Sequence, residues 1–314
     1  MSATRLFIVF SLFAYSNVAV AEEKLIASSS EGCALYIDGT DLIVKGCNVH
    51  VRNGDGDTNS VNGLGNLIVG YDEGLAANKT GSHNLVVGPE HRYSSYGGLI
   101  GGANNAAYAP HSSVTGGTEN RINERYGAIS GGRHSVVDEK YGSISGGHYN
   151  VAMGEYSSIS GGYHNIAMGD SAVISGGIHN VIHSSGKYAS ITGGRENTVS
   201  SSYGAIHGGS VNFVQGAHAV IVGGDGNIAR GNTSVIGGGS INTTALYAPY
   251  SFIGGGFSNQ TTEDYSYVGG GGYNTASGYI SSVTGGRNNK TTGRYATVYA
   301  GNGYSATGTD TYAP

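Results

Sequence analysis

Tyrosine recurs at one position of a repeating pattern, five residues before a pair of glycines. In a stack of parallel β-coils, neighbouring copies lie about 4.8 Å apart, so the rings are expected to form a ladder. Carbohydrate faces pack on exposed aromatic rings, which makes the ladder a candidate ligand-binding surface. The alternative is a ladder that fills a corner and stabilises the coils. The candidate binding residues are Tyr126, Tyr141, Tyr156, Tyr188 and Tyr203, and the same position also holds Tyr250, Tyr265 and Tyr295.

Histidine occupies a second recurring position, at His134, His164 and His179, with His148 and His183 close by. Two imidazoles one coil apart are able to ligate a transition metal. Solvated polar side chains at a corner are the simpler interpretation. We therefore assign neither a metal nor a cofactor to the chain.

Serine and threonine follow the outward side of one predicted strand. A flat hydroxyl array is the kind of surface that binds ice, but regular Thr-x-Thr rows are missing and the column changes to valine and glycine after Val220. Ice binding is therefore only a third alternative for the function. The hydroxyl residues are Ser143, Ser145, Ser158, Ser160, Ser190 and Thr192.

The stretch RNGDGDTNS offers oxygen groups at alternate positions, at Asn53, Asp55, Asp57 and Asn59. This pattern resembles the start of a calcium-binding loop, without the glycine at the sixth position or the closing glutamate. The alternative is a polar turn ahead of the first coil. The sequence leaves open whether a calcium ion sits at residues 53–59.

Catalytic motifs are missing from the sequence. There is no G-x-S-x-G or H-E-x-x-H pattern, and the acidic residues are scattered rather than paired in register. The chain is therefore not expected to be an enzyme. A net charge of −5 without a basic stripe also argues against nucleic acid as a partner.

All these positions belong to one internal repeat, anchored on the asparagine of the phrase G-G-x-x-N. Successive anchors are 15 residues apart, except for two steps of 17, and Ser135 and Tyr304 occupy the position in degenerate copies. Valine or isoleucine at fixed places argues against disorder, and glycine lacks the period of three that collagen needs. The anchors are Asn105, Asn120, Asn150, Asn165, Asn180, Asn197, Asn212, Asn227, Asn242, Asn259, Asn274 and Asn289.

Each repeat predicts two short strands, such as 143–145 and 151–153. Side chains alternate between the faces of a strand, so the central residue of each strand points inward. That residue is valine or isoleucine in every first strand from Val114 to Val298, and small or β-branched in the second. We predict an all-β fold, a parallel β-roll or β-solenoid of about 15-residue coils over residues 61–308, with a tail at 309–314.

The predicted core is thin. Burying one isoleucine contributes about 1.5–3 kcal/mol, whereas ordering 15 residues costs about 15–30 kcal/mol. Outward apolar residues of the second strand would bury more surface between chains, although Arg121 and Lys290 lie on the same face. We therefore predict a homotrimer, with a monomeric solenoid as the alternative. The predicted interface residues are Val151, Met153, Ile166, Met168 and Val181.

Residues 1–21 read as a cleaved signal peptide, with Arg5, an apolar run and Ala19-Val20-Ala21. Export implies a secreted or cell-surface protein, and no later stretch is apolar enough for a transmembrane helix. An exported chain permits a disulfide between Cys33 and Cys47, which flank a turn signal at Asp38-Gly39. We predict a disulfide-bonded β-hairpin cap over residues 22–60.

The repeats NVAMG (150–154), NIAMG (165–169), NIARG (227–231) and NTASG (274–278) alternate with strands of the SISGG type. They resemble the head repeats of trimeric autotransporter adhesins of the YadA-like kind, over about three-quarters of the chain. The resemblance implies a left-handed parallel β-roll with three chains packed side by side. Those adhesins continue into a coiled-coil stalk and a membrane barrel, whereas this sequence ends in GYSATGTDTYAP without heptads. The resemblance therefore does not imply self-anchoring or self-transport.

These observations together predict an exported adhesin-like head that binds a host, matrix or glycan ligand. The alternative is a non-catalytic extracellular scaffold with no ligand of its own. A glycan or matrix preference would distinguish the first from the second.

Overall fold

The structure, a computed structural model, describes residues 24–28 and 32–314. The predicted signal peptide at 1–21 lies outside the described residues. The chain divides into two compact units, with the boundary between His50 and Val51. Residues 51–60, grouped with the cap in the sequence analysis, therefore belong to the larger unit.

The N-terminal unit contains a three-stranded antiparallel sheet formed by Lys24–Ser28, Ala34–Asp38 and Asp41–Lys45. The last two strands form a hairpin whose turn contains Gly39 at φ 58°. Cys33 and Cys47 form a disulfide with their Cα atoms 5.0 Å apart, which confirms the predicted bridge. A loop of about 15 residues closed in this way is worth about 3 kcal/mol in the chain-entropy model.

The larger unit is a parallel β-solenoid, as predicted. Each coil contributes one strand to a 17-stranded sheet, called sheet I, and, from Arg92 onward, one strand to a 15-stranded sheet, called sheet II. Most strands are two residues long and pair with the copy one coil away, so Ser143–Ile144 pairs with Ser158–Ile159. A 3-10 turn at Ala76–Asn78 lies in the irregular first coils.

The strands of the two sheets are as follows. Sheet I consists of Leu67–Val69, Leu85–Val87, Leu99–Gly101, Ser113–Val114, Ala128–Ile129, Ser143–Ile144, Ser158–Ile159, Val173–Ile174, Ser190–Ile191, Ala205–Ile206, Val220–Ile221, Val235–Ile236, Phe252–Ile253, Tyr267–Val268, Ser282–Val283, Thr297–Val298 and Tyr312–Ala313. Sheet II consists of Arg92–Tyr93, Ala106–Ala107, Arg121–Ile122, Val136–Val137, Val151–Ala152, Ile166–Ala167, Val181–Ile182, Thr198–Val199, Phe213–Val214, Ile228–Ala229, Thr243–Thr244, Gln260–Thr261, Thr275–Ala276, Lys290–Thr291 and Ser305–Ala306.

The last strand of sheet I lies in the segment 309–314, so the predicted tail is part of the sheet. Tyr312–Ala313 pairs with Thr297–Val298, so the ladder continues almost to the end of the described chain.

The core consists of the two predicted inward columns. The inward valines and isoleucines of sheet I are 0–1% exposed from Val86 to Val298, and the inward residues of sheet II facing them are at most 3% exposed. Where threonine enters the core, its hydroxyl has a partner: Thr244 Oγ1 lies 2.8 Å from Ser234 Oγ. The same pairing joins Thr291 to Ser281 at 2.8 Å. These threonine hydroxyls are thus paired within a coil, whereas the Oγ atoms of Ser135 and Ser157 are buried without a partner.

The anchor asparagines form a ladder along the solenoid. Asn150 Oδ1 accepts a hydrogen bond from the Asn165 backbone N–H at 3.0 Å, and Asn165 Nδ2 donates to the carbonyls of Gly161 and Gly177, both at 3.0 Å. The ladder runs mainly from side chain to backbone, because backbone groups at the corner need these partners.

Glycine fills one corner of each coil. Gly147 has φ 86°, and a Cβ there would lie 2.2 Å from Gly162 O. The preceding Gly146 has open space around it, so only the second glycine of the pair is sterically required. The anchor asparagines are not in this region; the residue before each anchor is, as with Tyr149 at φ 54°.

An ion pair lies between the first irregular coils. Lys79 Nζ lies 3.0 Å from Asp72 Oδ1, and the Lys79 side chain is only 7% exposed. The Tyr93 hydroxyl donates to Asp72 Oδ2 at 2.9 Å. Burial, and then the Asp72 carboxylate, raise the pKa of Tyr93. These contacts hold the 70–80 loop against the solenoid.

In the described part of the chain, no helix is long and apolar enough to cross a membrane.

Candidate functional site

The tyrosine column lies along one corner of the solenoid, between a strand of sheet II and the next strand of sheet I. Its members have left-handed backbone, with φ 60° at Tyr126, 58° at Tyr141 and 59° at Tyr156. Each N–H reaches back one coil, so Tyr156 N donates to Lys140 O at 3.1 Å. A non-glycine residue at positive φ is uncommon. Here the backbone hydrogen bond fixes the corner.

The tyrosine rings stack, which confirms the ladder predicted from the spacing. Ring centroids are 5.0 Å apart for Tyr126 and Tyr141 and 4.7 Å apart for Tyr141 and Tyr156, with planes within 3° of parallel. A second run joins Tyr188 to Tyr203 at 5.0 Å. Inside a run, each ring face is covered by its neighbours, so only ring edges and the ends of a run remain open to a ligand.

A gap in the column separates the two runs at Ser171, which has φ 55° like its tyrosine neighbours. The rings flanking the gap are the most exposed in their runs, 56% at Tyr156 and 57% at Tyr188, against 39% at Tyr141. Two coil spacings of about 4.8 Å put these rings roughly 10 Å apart. That distance leaves room for one flat ring between the two free faces.

Charged residues line the edge of this gap. Lys187 Nζ lies 2.8 Å from Asp170 Oδ2. The hydrogen bond from Lys187 holds the pKa of Asp170 below its usual value, and the same bond raises the pKa of Lys187. Both side chains are about half exposed, so the pair adds polar groups beside the gap and little stability.

The histidine column forms a stack of its own. His134 and Tyr149 lie 4.7 Å apart, Tyr149 and His164 4.8 Å, and His164 and His179 5.1 Å, all with nearly parallel rings. Each imidazole lone pair lies in the plane of its own ring, so two stacked rings with nearly parallel planes do not converge on one metal ion. Among residues 24–28 and 32–314, no group of three or more His, Cys, Asp or Glu is placed to hold a metal. His183 follows a strand of sheet II, outside this column.

The predicted interface residues line up on the outer face of sheet II. Val151, Ile166 and Val181 are register partners in successive strands. They are half-buried, as is Met168, whereas Met153 is 42% exposed. The face is therefore an apolar stripe that a single chain leaves partly open.

The calcium-like loop is closed by its own hydrogen bonds. Asn53 Nδ2 donates to Ser60 Oγ at 2.6 Å, and Asn62 Nδ2 donates to Asp55 Oδ2 at 2.9 Å. Amide donors thus point at oxygens that a cation would need. The Asp57 carboxylate accepts from the Asn59 N–H at 3.0 Å. This geometry is that of a polar turn.

The hydroxyl array lies on the outer face of sheet I. Ser143 Oγ donates to Ser158 Oγ at 3.1 Å. Val173 interrupts the row at the next strand and is 40% exposed. The array is therefore short.

A cleft that the sequence analysis did not find lies on sheet II, with a volume of about 440 Å³. It forms where the small Ala106 falls between two arginines of the neighbouring strands, Arg92 and Arg121. The signal in the sequence is an alanine in an outward column otherwise filled by larger side chains. The lining residues are Arg92, Asn104, Ala106, Glu119, Asn120, Arg121, His134, Val136 and Tyr149.

No protein-family model matches the chain, and a search of curated proteins finds no match either.

Proposed function

We propose that the protein is an exported, adhesin-like head that binds a glycan or matrix ligand, and that its chains associate as a homotrimer. The observation that carries this proposal is the pair of free ring faces on Tyr156 and Tyr188, more exposed than the rings inside a run. Sugar rings stack on such faces, and the adjacent Lys187 and Asp170 supply polar groups for hydroxyls.

The head-like assignment also draws on the repeat pattern. The resemblance to YadA-like heads is the reason for proposing a trimer. The half-buried stripe of Val151, Ile166 and Val181 is the surface proposed for the contact between chains. Export is proposed from the leader-like residues 1–21.

A substitution in the gap tests the ligand-binding proposal. Ser171→Tyr would place a ring between Tyr156 and Tyr188, at a position whose φ of 55° already matches the tyrosine slots. Each new aromatic pair is worth about 0.5–1.5 kcal/mol. The variant should therefore melt at a higher temperature and lose binding on a glycan and matrix-protein array.

Thr233→Tyr is the matched control, since Thr233 interrupts the same column at φ 56° elsewhere. It should keep the wild-type binding pattern. A wild-type protein that binds nothing on the array, or a Ser171→Tyr variant that binds like wild type, contradicts the proposal.

The alternative function, a scaffold without a ligand, is favoured by the stacking itself. Inside each run the ring faces cover one another at 4.7–5.0 Å, which is how a ladder that only stabilises a corner would look. In that case Ser171→Tyr raises stability and changes no binding.

A further inference from the structure

The cleft around Ala106 has an unusual lining for this protein. Arg92, Ala106 and Arg121 hold the same outward position in three successive strands of sheet II. The Cα atoms of the two arginines are therefore about 10 Å apart. Ala106 is only 3% exposed, and arginine stems are able to cover apolar surface of this kind while their heads stay in solvent. The two guanidinium groups flank one small depression.

In the part of the chain that the structure describes, neither arginine of the cleft is paired with a carboxylate of the protein. Within the described residues, no ion pair and no side-chain hydrogen bond involves either Arg92 or Arg121. The carboxylate of the cleft, Glu119, is already engaged by Arg133 Nε at 3.2 Å and His134 Nε2 at 2.7 Å. Two free guanidinium groups thus face one cleft on a chain whose net charge is −5.

The remaining lining indicates what kind of anion fits. A guanidinium group binds a carboxylate through two parallel hydrogen bonds. Asn104 adds an amide, and the Tyr149 ring, 39% exposed, adds apolar surface. A few polar groups beside an aromatic ring are typical of small-molecule sites. We infer that this cleft binds a carboxylated sugar, with the carboxylate held by Arg92 and Arg121.

The position of the cleft is compatible with the proposed trimer. Arg121 lies two strands before Val151 in sheet II, so the cleft is at the rim of the apolar stripe. Unpaired charges are costly in the middle of an interface and are accepted at its rim.

The choice of a saccharide rests on the proposed adhesin-like function. Isothermal titration calorimetry of the full chain at about 0.15 M salt would use sialyllactose, a galacturonate oligosaccharide and neutral lactose. Both acids carry a carboxylate group. Comparing their binding shows whether the cleft prefers a terminal sialic acid or a uronate chain. We expect at least one of the two acids to bind and lactose to give no binding heat.

Three variants locate the site. Arg121→Ala should weaken acid binding about tenfold or more, since hydrogen bonds between charged groups are strong. Arg121→Lys should restore only part of it, because lysine keeps the charge and loses the planar fork. Lys290→Ala is the control, since Lys290 occupies the same strand position far from the cleft, and it should bind like wild type.

The outcomes separate this inference from the function on which it rests. Equal losses in Arg121→Ala and Lys290→Ala would mean general electrostatic attraction and would overturn the site. Acid binding that survives Arg121→Ala but is lost in Ser171→Tyr would also overturn the site while leaving the adhesin-like function intact. A wild-type chain that binds neither acid overturns the site, whereas the adhesin-like function is overturned only if the chain also binds nothing on the glycan and matrix-protein array.

Discussion

At the anchor position of each coil, one asparagine side chain makes three hydrogen bonds to backbone groups of its own coil and its neighbours. Asn180 shows the pattern: its Nδ2 donates to Gly176 O at 3.1 Å and Gly194 O at 3.0 Å, and its Oδ1 accepts from the Asn197 N–H at 3.0 Å. The solenoid depends on these bonds because its corners have few other partners for buried backbone groups. The one serine in the middle of the ladder is therefore a weak point.

Ser135→Asn should stabilise the solenoid. Ser135 Oγ is buried without a partner, and the side chain is too short to reach the glycine carbonyls that the other anchors use. Asparagine would gain bonds to Gly131 O, Gly147 O and the Asn150 N–H. Net hydrogen bonds are each worth about 0.5–1.5 kcal/mol, so we expect about 1–2 kcal/mol, measured as a higher midpoint in chemical denaturation.

The matched control is the reverse change in an intact part of the ladder. Asn165→Ser removes the bonds to Gly161, Gly177 and the Asn180 N–H, and should lower the midpoint. A Ser135→Asn protein no more stable than wild type would show that the anchor side chain adds nothing to the ladder.

At the scale of the strands, the repeat pattern predicted which side chains point inward and which stack, although most strands are only two residues long. The column of valine and isoleucine identified the inward face of sheet I, because side chains of a strand alternate between faces. The tyrosine spacing gave the stacked ladder. The 15-residue spacing of the repeat thus predicted most of the fold.

Other features of the strands could not be predicted from the sequence. Backbone bridges outside the two sheets, such as His148 with Tyr163, form a third ladder between the glycines and the anchors. No side-chain pattern marks them, because that column holds arginine, histidine, tyrosine and glycine alike. The sequence did not predict the arginine cleft for a similar reason. Ala106 resembles the other small residues of the repeats, and only the strand register places it between Arg92 and Arg121.

The outer face of sheet II carries the prediction on assembly. Met153→Lys combined with Met168→Lys should dissociate the proposed trimer, because burying an unpaired charge in an apolar contact is costly. Ser145→Lys, on the outer face of sheet I, should leave the assembly unchanged. Light scattering of the purified protein measures the mass. A wild-type mass near one chain, or a double variant still three chains in mass, favours the monomeric solenoid.

At the scale of the whole solenoid, each coil contacts only its neighbours, so the ends differ from the middle. Leu67–Val69, the first strand of sheet I, pairs with Leu85–Val87 on one side. Its inward residue, Ile68, is 38% exposed, whereas Val86 and Ile100 in the same column are fully buried. Leu67 and Val69 are 52% and 55% exposed. Within residues 51–314, this strand is an apolar sheet edge.

Removal of the residues before Leu64 tests whether the N-terminal segment protects this edge. An apolar edge strand is a template for pairing with another chain, so we expect the shortened protein to aggregate where the full chain stays soluble. Ile68→Lys in the shortened protein should restore solubility, since an inward charge on an edge strand opposes pairing. Size-exclusion chromatography distinguishes these results. If the shortened protein elutes as one discrete species without the lysine, residues 22–60 have no capping role and the first coil protects itself.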